Sequence, residues 1–176
     1  MLSNFAVALG SAGILMLFGI LSAASADDGV PFPNGFRDWF FVNSLTATAD
    51  SPLFGHVAGV HHIYVSARGL PNLKAGGRFP YPDGTIFADD VHEFSVKDGA
   101  FLEGAKKFVT VMVKDAKKYA TTGGSGFQVW AAGDPTKPQV LDIAHSVEAC
   151  FVCHTLQRAQ DYIRCSWTDC SGRVRS

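Results

Sequence analysis

The chain has 176 residues, of which 47% are hydrophobic, and it carries 15 Lys and Arg side chains against 16 Asp and Glu. This near-neutral balance excludes the strongly basic surface that nucleic-acid binding requires. A mature chain of about 150 residues is long enough to bury one hydrophobic core, so we expect a single domain that does not bind nucleic acid.

The amino terminus has the pattern of an export signal. An apolar run from Phe5 to Leu21 is followed by the small residues Ala24-Ser25-Ala26. This pattern predicts a signal peptide over residues 1–26, cleaved after Ala26, which leaves 27–176 as one periplasmic domain with no membrane attachment. No Lys or Arg precedes the apolar run, so an uncleaved membrane anchor is the alternative.

Five segments of the mature chain have the β-branched and aromatic content of strands. They are 36–42, which a single helical turn would also fit, 57–65, 85–96 in two pieces, 107–113 and 127–131. The connections between them are short and turn-like, which is typical of an antiparallel sheet. A helical pattern appears only near the carboxyl end, from Ser146 to His154 and again from Gln160 to Trp167.

Three expectations concern side chains on these strands. We expect the aromatic segment 36–42 to be buried, because large aromatic residues are mainly core residues. Alternation along 57–65 places His61 and His62 on opposite faces, so that one of them points inward. The Asp89-Asp90 pair predicts a solvated bulge or turn between two short strands.

The most specific motif is Cys150-Phe151-Val152-Cys153-His154, which fits the C-x-x-C-H pattern of covalent haem attachment. Two thiols add across the two vinyl groups of a haem, and the adjacent histidine ligates the iron. The motif predicts one haem c per chain, with Cys150 and Cys153 attached covalently and His154 as the metal ligand. The fold class is therefore expected to be α+β, a mainly antiparallel sheet of about five strands with a C-terminal haem-attachment helix.

The second cysteine pair, Cys165 and Cys170, leaves alternatives open. In an oxidising compartment these residues can form a disulfide or remain two thiols. A zinc site made by all four cysteines is a further alternative, although the spacing of the second pair is wide for zinc.

The sixth ligand of the iron is not specified by the sequence. Electron-carrying cytochromes of this size usually supply a methionine as the sixth ligand, but no methionine follows His154. Met112 lies on a predicted strand, where we expect it to pack in the hydrophobic core. The candidate histidines are His56, His61, His62, His92 and His145. None has a distinctive spacing, which favours an open distal site that binds a small molecule. The alternative is a six-coordinate electron-transfer cytochrome with no substrate.

The order of several segments resembles the cytochrome P-460 family. The segments are GFRDWFFVNS, HHIYVS, YPDGTIF, VMVKDAKKYATTGGSGFQVW, ACFVCH and DYI, and the likeness runs from about Phe36 to Trp167. The resemblance implies an antiparallel sheet, a homodimer and one five-coordinate c-type haem. It also implies one of two activities. The first is oxidation of hydroxylamine or handling of nitric oxide, with electrons passed to a redox partner cytochrome. The second is binding of nitric oxide alone, as in beta-type cytochromes c-prime.

The chain departs from that family at one position. The P-460 enzymes have a lysine shortly after the D-G-T turn that is cross-linked to the porphyrin. Here that position is Asp89 without a gap, or His92 with an insertion, and no lysine occurs between Lys74 and Lys97. We therefore do not expect the cross-link.

The resemblance also indicates residues on the distal side. A basic residue that the P-460 enzymes carry just before the Tyr-Val pair falls on His61, so His61 and Asp89 are the catalytic candidates. We expect Phe54 and Phe87 to line the same pocket. A carboxylate at Asp89 would be able to take a proton from hydroxylamine or a peroxide.

Overall fold

One antiparallel sheet organises the computed structural model, which describes residues 29–48, 51, 57–76, 79–140 and 143–163. Its strands pair in chain order, each with the next. They are β1 (Phe40–Ala47), β2 (Gly59–Val65), β3 (Ile86–Lys97), β4 (Ala100–Lys114) and β5 (Ser125–Ala131). The predicted α+β class and the number of strands are confirmed.

The helices are short. One is α1 (Leu70–Lys74), and single 3-10 turns lie at Phe36–Asp38 and Ala120–Thr122. The C-terminal helical segment, residues 143–160, is a succession of different turns. It has α-helical turns at Ile143–Ser146 and Val152–His154, a π-helical turn at Val147–Phe151 and a 3-10 turn at Thr155–Gln160. The segment ends there, because Asp161 and Tyr162 both have positive φ. The prediction of a helix from Gln160 to Trp167 is therefore wrong at Asp161 and Tyr162.

The two faces of the sheet carry two separate cores. Because successive residues of a strand point to opposite faces, Val109, Val111 and Val113 of β4 pack with Val30 and Phe36 from the amino-terminal segment. Met112 and Phe127 point the other way. On that second face the core includes Val65, Leu73, Tyr81, Phe87 and Ile163, with Cys150 and Phe151 packed against it. The second face therefore carries the C-terminal helical segment.

The Asp89-Asp90 pair lies inside the continuous strand β3 and not in a turn, so that prediction was wrong. Asp90 is almost fully buried and pairs with Arg37 and with Lys106, whose Nζ is 2.8 Å from Asp90 Oδ1. Burial opposes the charged form, but these two cations outweigh it and lower the pKa of Asp90. The strand continues through two charged residues because each has a partner of opposite charge.

The expected burial of residues 36–42 is also partly wrong. Phe36 is buried, whereas Phe40 and Phe41 are 40% and 48% exposed. They lie on β1, an edge strand, where Phe41 contacts the edge of the Tyr64 ring at a centroid distance of 5.6 Å. Edge strands have one side open to solvent, and this accounts for the exposure.

Several predictions fall outside the described residues. These concern the signal peptide over residues 1–26, Phe54, His56 and the pair Cys165 and Cys170. Within the described ranges, no helix is both long and apolar enough to cross a bilayer.

The second core gives a prediction for stability. Leu73 is completely buried, so Leu73→Ala should lower the free energy of unfolding by about 2–5 kcal/mol through lost burial and the cavity left behind. Leu156 is 74% exposed, so the matched Leu156→Ala change should stay within about 0.5 kcal/mol of wild type. Denaturant unfolding of the purified proteins measures both. Equal losses in the two variants would contradict the described core.

Candidate haem site

A cavity of about 790 Å³ lies between the second face of the sheet and the C-terminal helical segment. All five strands contribute to its wall. Most of these side chains are apolar, among them Val42, Leu45, Ile63, Phe87, Phe108, Met112 and Phe127. Sites that hold cofactor-sized molecules are apolar clefts of about 300–1,000 Å³, so the cavity has a suitable size and lining.

The helical wall of the cavity brings together the three residues of the haem motif. Cys150 lies in the π-helical turn, and Cys153 and His154 lie in the α-helical turn that follows. All three line the cavity and are half-buried. Single π-helical turns occur frequently at functional sites. Two thiols and an imidazole therefore face one apolar space, as the motif predicts.

His154 is held in a defined orientation. Its Nδ1 lies 2.6 Å from the carbonyl oxygen of Tyr162, and its ring lies 4.7 Å from the ring of Phe127, centroid to centroid. A carbonyl oxygen only accepts hydrogen bonds, so Nδ1 is the donor and carries the proton. In the neutral imidazole, Nε2 is then the unprotonated nitrogen. This is the arrangement of a metal-ligating histidine whose other nitrogen donates to a backbone carbonyl.

These features fit a covalently attached haem. Cys150 and Cys153 would hold the porphyrin, His154 would ligate the iron, and the apolar wall would surround the macrocycle.

The sheet wall of the cavity contains a charged pair between the buried His61 and the half-buried Asp89. His61 Nδ1 lies 2.7 Å from Asp89 Oδ2, and His61 Nε2 lies 2.6 Å from the carbonyl oxygen of Val57. Both partners only accept hydrogen bonds, so both ring nitrogens are donors and the ring is an imidazolium. Burial lowers the pKa of His61, but the hydrogen bond and charge of Asp89 and the Val57 carbonyl raise it more, and the net shift is upward. The alternation expected for 57–65 is confirmed, since His61 faces inward.

Several polar residues of this wall were missed from the sequence, among them Asn43, Thr110 and Gln128. Asn43 and Thr110 line the cavity with Asp89. Strand register places them in one row across the sheet, in which Asn43 is opposite Ile63, Ile63 opposite Asp89, and Asp89 opposite Thr110. Among the described residues, Asn43 Oδ1 and Asp89 Oδ1 are buried without a hydrogen-bond partner. Asn43 was missed because the predicted segment 36–42 ended one residue before it, whereas β1 continues to Ala47.

The other candidates separate into two groups. Phe87 and His145 line the cavity. His62 and His92 lie outside it, and their rings contact each other at a centroid distance of 5.9 Å. His92 pairs with Asp90 and Glu103 at 3.3 and 3.1 Å. Of the two positions considered for the missing lysine, Asp89 therefore lines the cavity and His92 does not.

The charged pair gives a prediction about pH. In Asp89→Asn the burial of His61 remains while the compensating charge is lost, so the pKa of His61 should fall below 6.5. An NMR titration of the imidazole measures this shift. Glu103→Gln, which removes the carboxylate partner of His62, should leave the pKa of His61 nearly unchanged.

The same pair should make stability depend on pH with a defined sign. Because the pKa of His61 is raised in the folded protein, the pair stabilises the wild type fully below pH 6.5. This contribution is lost as the pH rises through the raised pKa. Denaturant unfolding at pH values on both sides should show the loss in wild type and not in Asp89→Asn. An identical pH dependence in both proteins would contradict the pairing.

Comparison with known proteins identifies the family. A family model described as Cytochrome P460 matches residues 33–164, which include every strand, both walls of the cavity and the haem motif. A search of curated proteins finds no match. The match to the cytochrome family model implies haem binding. Since the matched residues cover well over half of the chain, the chain belongs to the cytochrome P460 family.

Proposed function

We propose that this protein is a periplasmic monohaem c-type cytochrome that oxidises hydroxylamine or a similar protic nitrogen compound at an open distal site. Cys150 and Cys153 attach the haem covalently, and His154 is the iron ligand. The observation that carries the proposal is the His61–Asp89 pair, which lines the same cavity as the haem motif.

The environment of His61 and Met112 supports an open sixth position. Both nitrogens of His61 donate to oxygen acceptors, so neither has a lone pair for a metal. Met112 is opposite Phe127 in the strand register, and Phe127 packs on His154. Met112 is therefore at the His154 end of the cavity. This arrangement argues against His61 or Met112 as the sixth ligand of a six-coordinate electron carrier.

The polar atoms of the sheet wall favour a ligand that carries hydrogens. Asn43 and Asp89 line the cavity and carry amide and carboxylate acceptors, and such acceptors gain most from a ligand with N–H or O–H groups. Hydroxylamine has both kinds of group, whereas nitric oxide has neither. Nitric oxide binding without turnover is the second candidate, favoured by the absence of a lysine at the Asp89 position.

These contacts indicate the role of each group in the reaction. The haem supplies the centre that accepts electrons. Asp89 would take a proton from hydroxylamine held in the cavity, while its Oδ2 accepts the hydrogen bond of His61. Because His61 is also held by the Val57 carbonyl, it fixes the carboxylate in one orientation. The electrons then pass to a redox partner cytochrome.

We also propose that the protein is a homodimer. The hairpin of β3 and β4 extends beyond the sheet and exposes three apolar side chains, Val96, Phe101 and Leu102. Exposed apolar patches of this kind mark contacts between proteins. A second copy would cover them.

Covalent attachment gives a direct prediction. In protein produced with a haem-attachment system, the intact mass should include one haem, and digestion should leave it on the peptide that contains Cys150 and Cys153. Replacing both cysteines by Ala should remove the covalent haem. A haem found on a second peptide, or retained in the double variant, would contradict the assignment.

The enzymatic role is tested by steady-state oxidation of hydroxylamine with an artificial electron acceptor. Asp89→Asn should lower kcat/KM by about 10²–10⁴-fold, the usual contribution of a general base, while the haem content stays that of wild type. Asp134→Asn is the matched control, because Asp134 is paired with Lys137 on the surface, and it should retain full activity. Wild-type protein that fails to consume hydroxylamine but binds nitric oxide would favour the second candidate.

A further inference from the structure

The turn that follows the C-terminal helical segment is held in an unusual backbone conformation. Asp161 and Tyr162 have φ values of 56° and 63°, so two successive non-glycine residues are left-handed. Asp tolerates this conformation, but for a bulky residue such as Tyr it is rare. Such residues persist only where the surrounding structure fixes them, and they cluster at functional sites.

A buried ion pair fixes Asp161. Its Oδ1 lies 2.7 Å from Lys114 Nζ, and both side chains are largely withdrawn from solvent. Its Oδ2 accepts a hydrogen bond of 2.8 Å from the backbone N–H of Tyr81. Lys114 also donates to Ser125 Oγ at 2.9 Å. The last residue of β4 and the first residue of β5 therefore anchor the turn to the sheet.

The ring of Tyr162 is fixed from two sides. It lies 5.2 Å from the ring of Phe151, and Lys114 Nζ lies 6.0 Å from its centroid. Gly123 lies directly against it, since a Cβ atom there would come within 2.2 Å of the Tyr162 ring. The close approach of Gly123 therefore restricts the position of the Tyr162 ring.

These contacts direct one atom toward the haem motif. With its ring and the preceding residue fixed, Tyr162 points its carbonyl oxygen at His154 Nδ1, 2.6 Å away. We propose that Lys114 and Asp161 are positioning residues that act on the haem iron through Tyr162 and His154. This inference rests on the proposed role of His154 as the iron ligand.

The expected effect on the iron has a definite sign. A hydrogen bond from Nδ1–H to a carbonyl oxygen raises the basicity of the ligating nitrogen and holds the ring in place. A more basic ligand favours ferric over ferrous iron and strengthens the Fe–His bond. Loosening the turn should therefore raise the reduction potential and lower the Fe–His stretching frequency of the ferrous protein.

Two substitutions separate this effect from a general loss of structure. Asp161→Asn keeps the shape, the acceptor for Tyr81 and a residue type that tolerates the left-handed conformation, but removes the charge that pairs with Lys114. Lys114→Met removes the other partner. Asp134→Asn is the matched control, because it breaks the exposed pair with Lys137, 3.1 Å apart, on the surface.

The test is resonance Raman spectroscopy and redox titration of the purified haem-loaded proteins. We expect a lower Fe–His frequency and a higher potential in Asp161→Asn and Lys114→Met, and wild-type values in Asp134→Asn. If Lys114→Met does not fold, the Asp161→Asn protein alone tests the positioning role. A folded Asp161→Asn protein with the wild-type frequency and potential would overturn the positioning role. A wild-type ferrous protein that is five-coordinate and high-spin in its optical spectrum but shows no Fe–His band would instead overturn the assignment of His154, and this inference with it.

Discussion

The packing of the C-terminal helical segment against one face of the sheet is the constraint on which the rest of the structure depends. The contact is made at one end, where Phe127 of β5 meets the rings of Phe151 and His154 at 6.2 and 4.7 Å. Farther along the sheet a cavity separates the segment from the strands. The same packing that places His154 beside the sheet thus leaves space for a cofactor next to it.

Two buried ion pairs lie around this arrangement. Lys114–Asp161 holds the turn behind His154, and His61–Asp89 lines the opposite wall. A buried ion pair gives little net stability, because desolvation offsets the attraction between the charges. The pKa of His61 is raised, and a perturbed ionisable group in a cleft is typical of a functional site. We therefore interpret one pair as support for the iron ligand and the other as the proton-handling group.

Sequence patterns predicted what depends on local spacing. The C-x-x-C-H motif placed three residues on one wall, and alternation along β2 predicted that one of the adjacent residues His61 and His62 points inward, as His61 does. Sequence patterns failed where the structure depends on contacts between residues that are far apart in the chain. Asp90 continues a strand because Arg37, more than fifty positions away, neutralises it. The role of Tyr162 lies in its backbone carbonyl, which side-chain identity does not reveal. Asn43 was missed for a different reason, because the predicted first strand ended at Val42 and β1 continues to Ala47.

The central claim is that the iron has His154 on one side and an open position facing His61 and Asp89 on the other. The optical spectrum of the ferrous protein with and without nitric oxide or carbon monoxide tests it most directly. We expect a high-spin five-coordinate spectrum that changes on addition of either gas, with binding altered in Asp89→Asn. A low-spin six-coordinate spectrum that responds to neither gas would contradict the account.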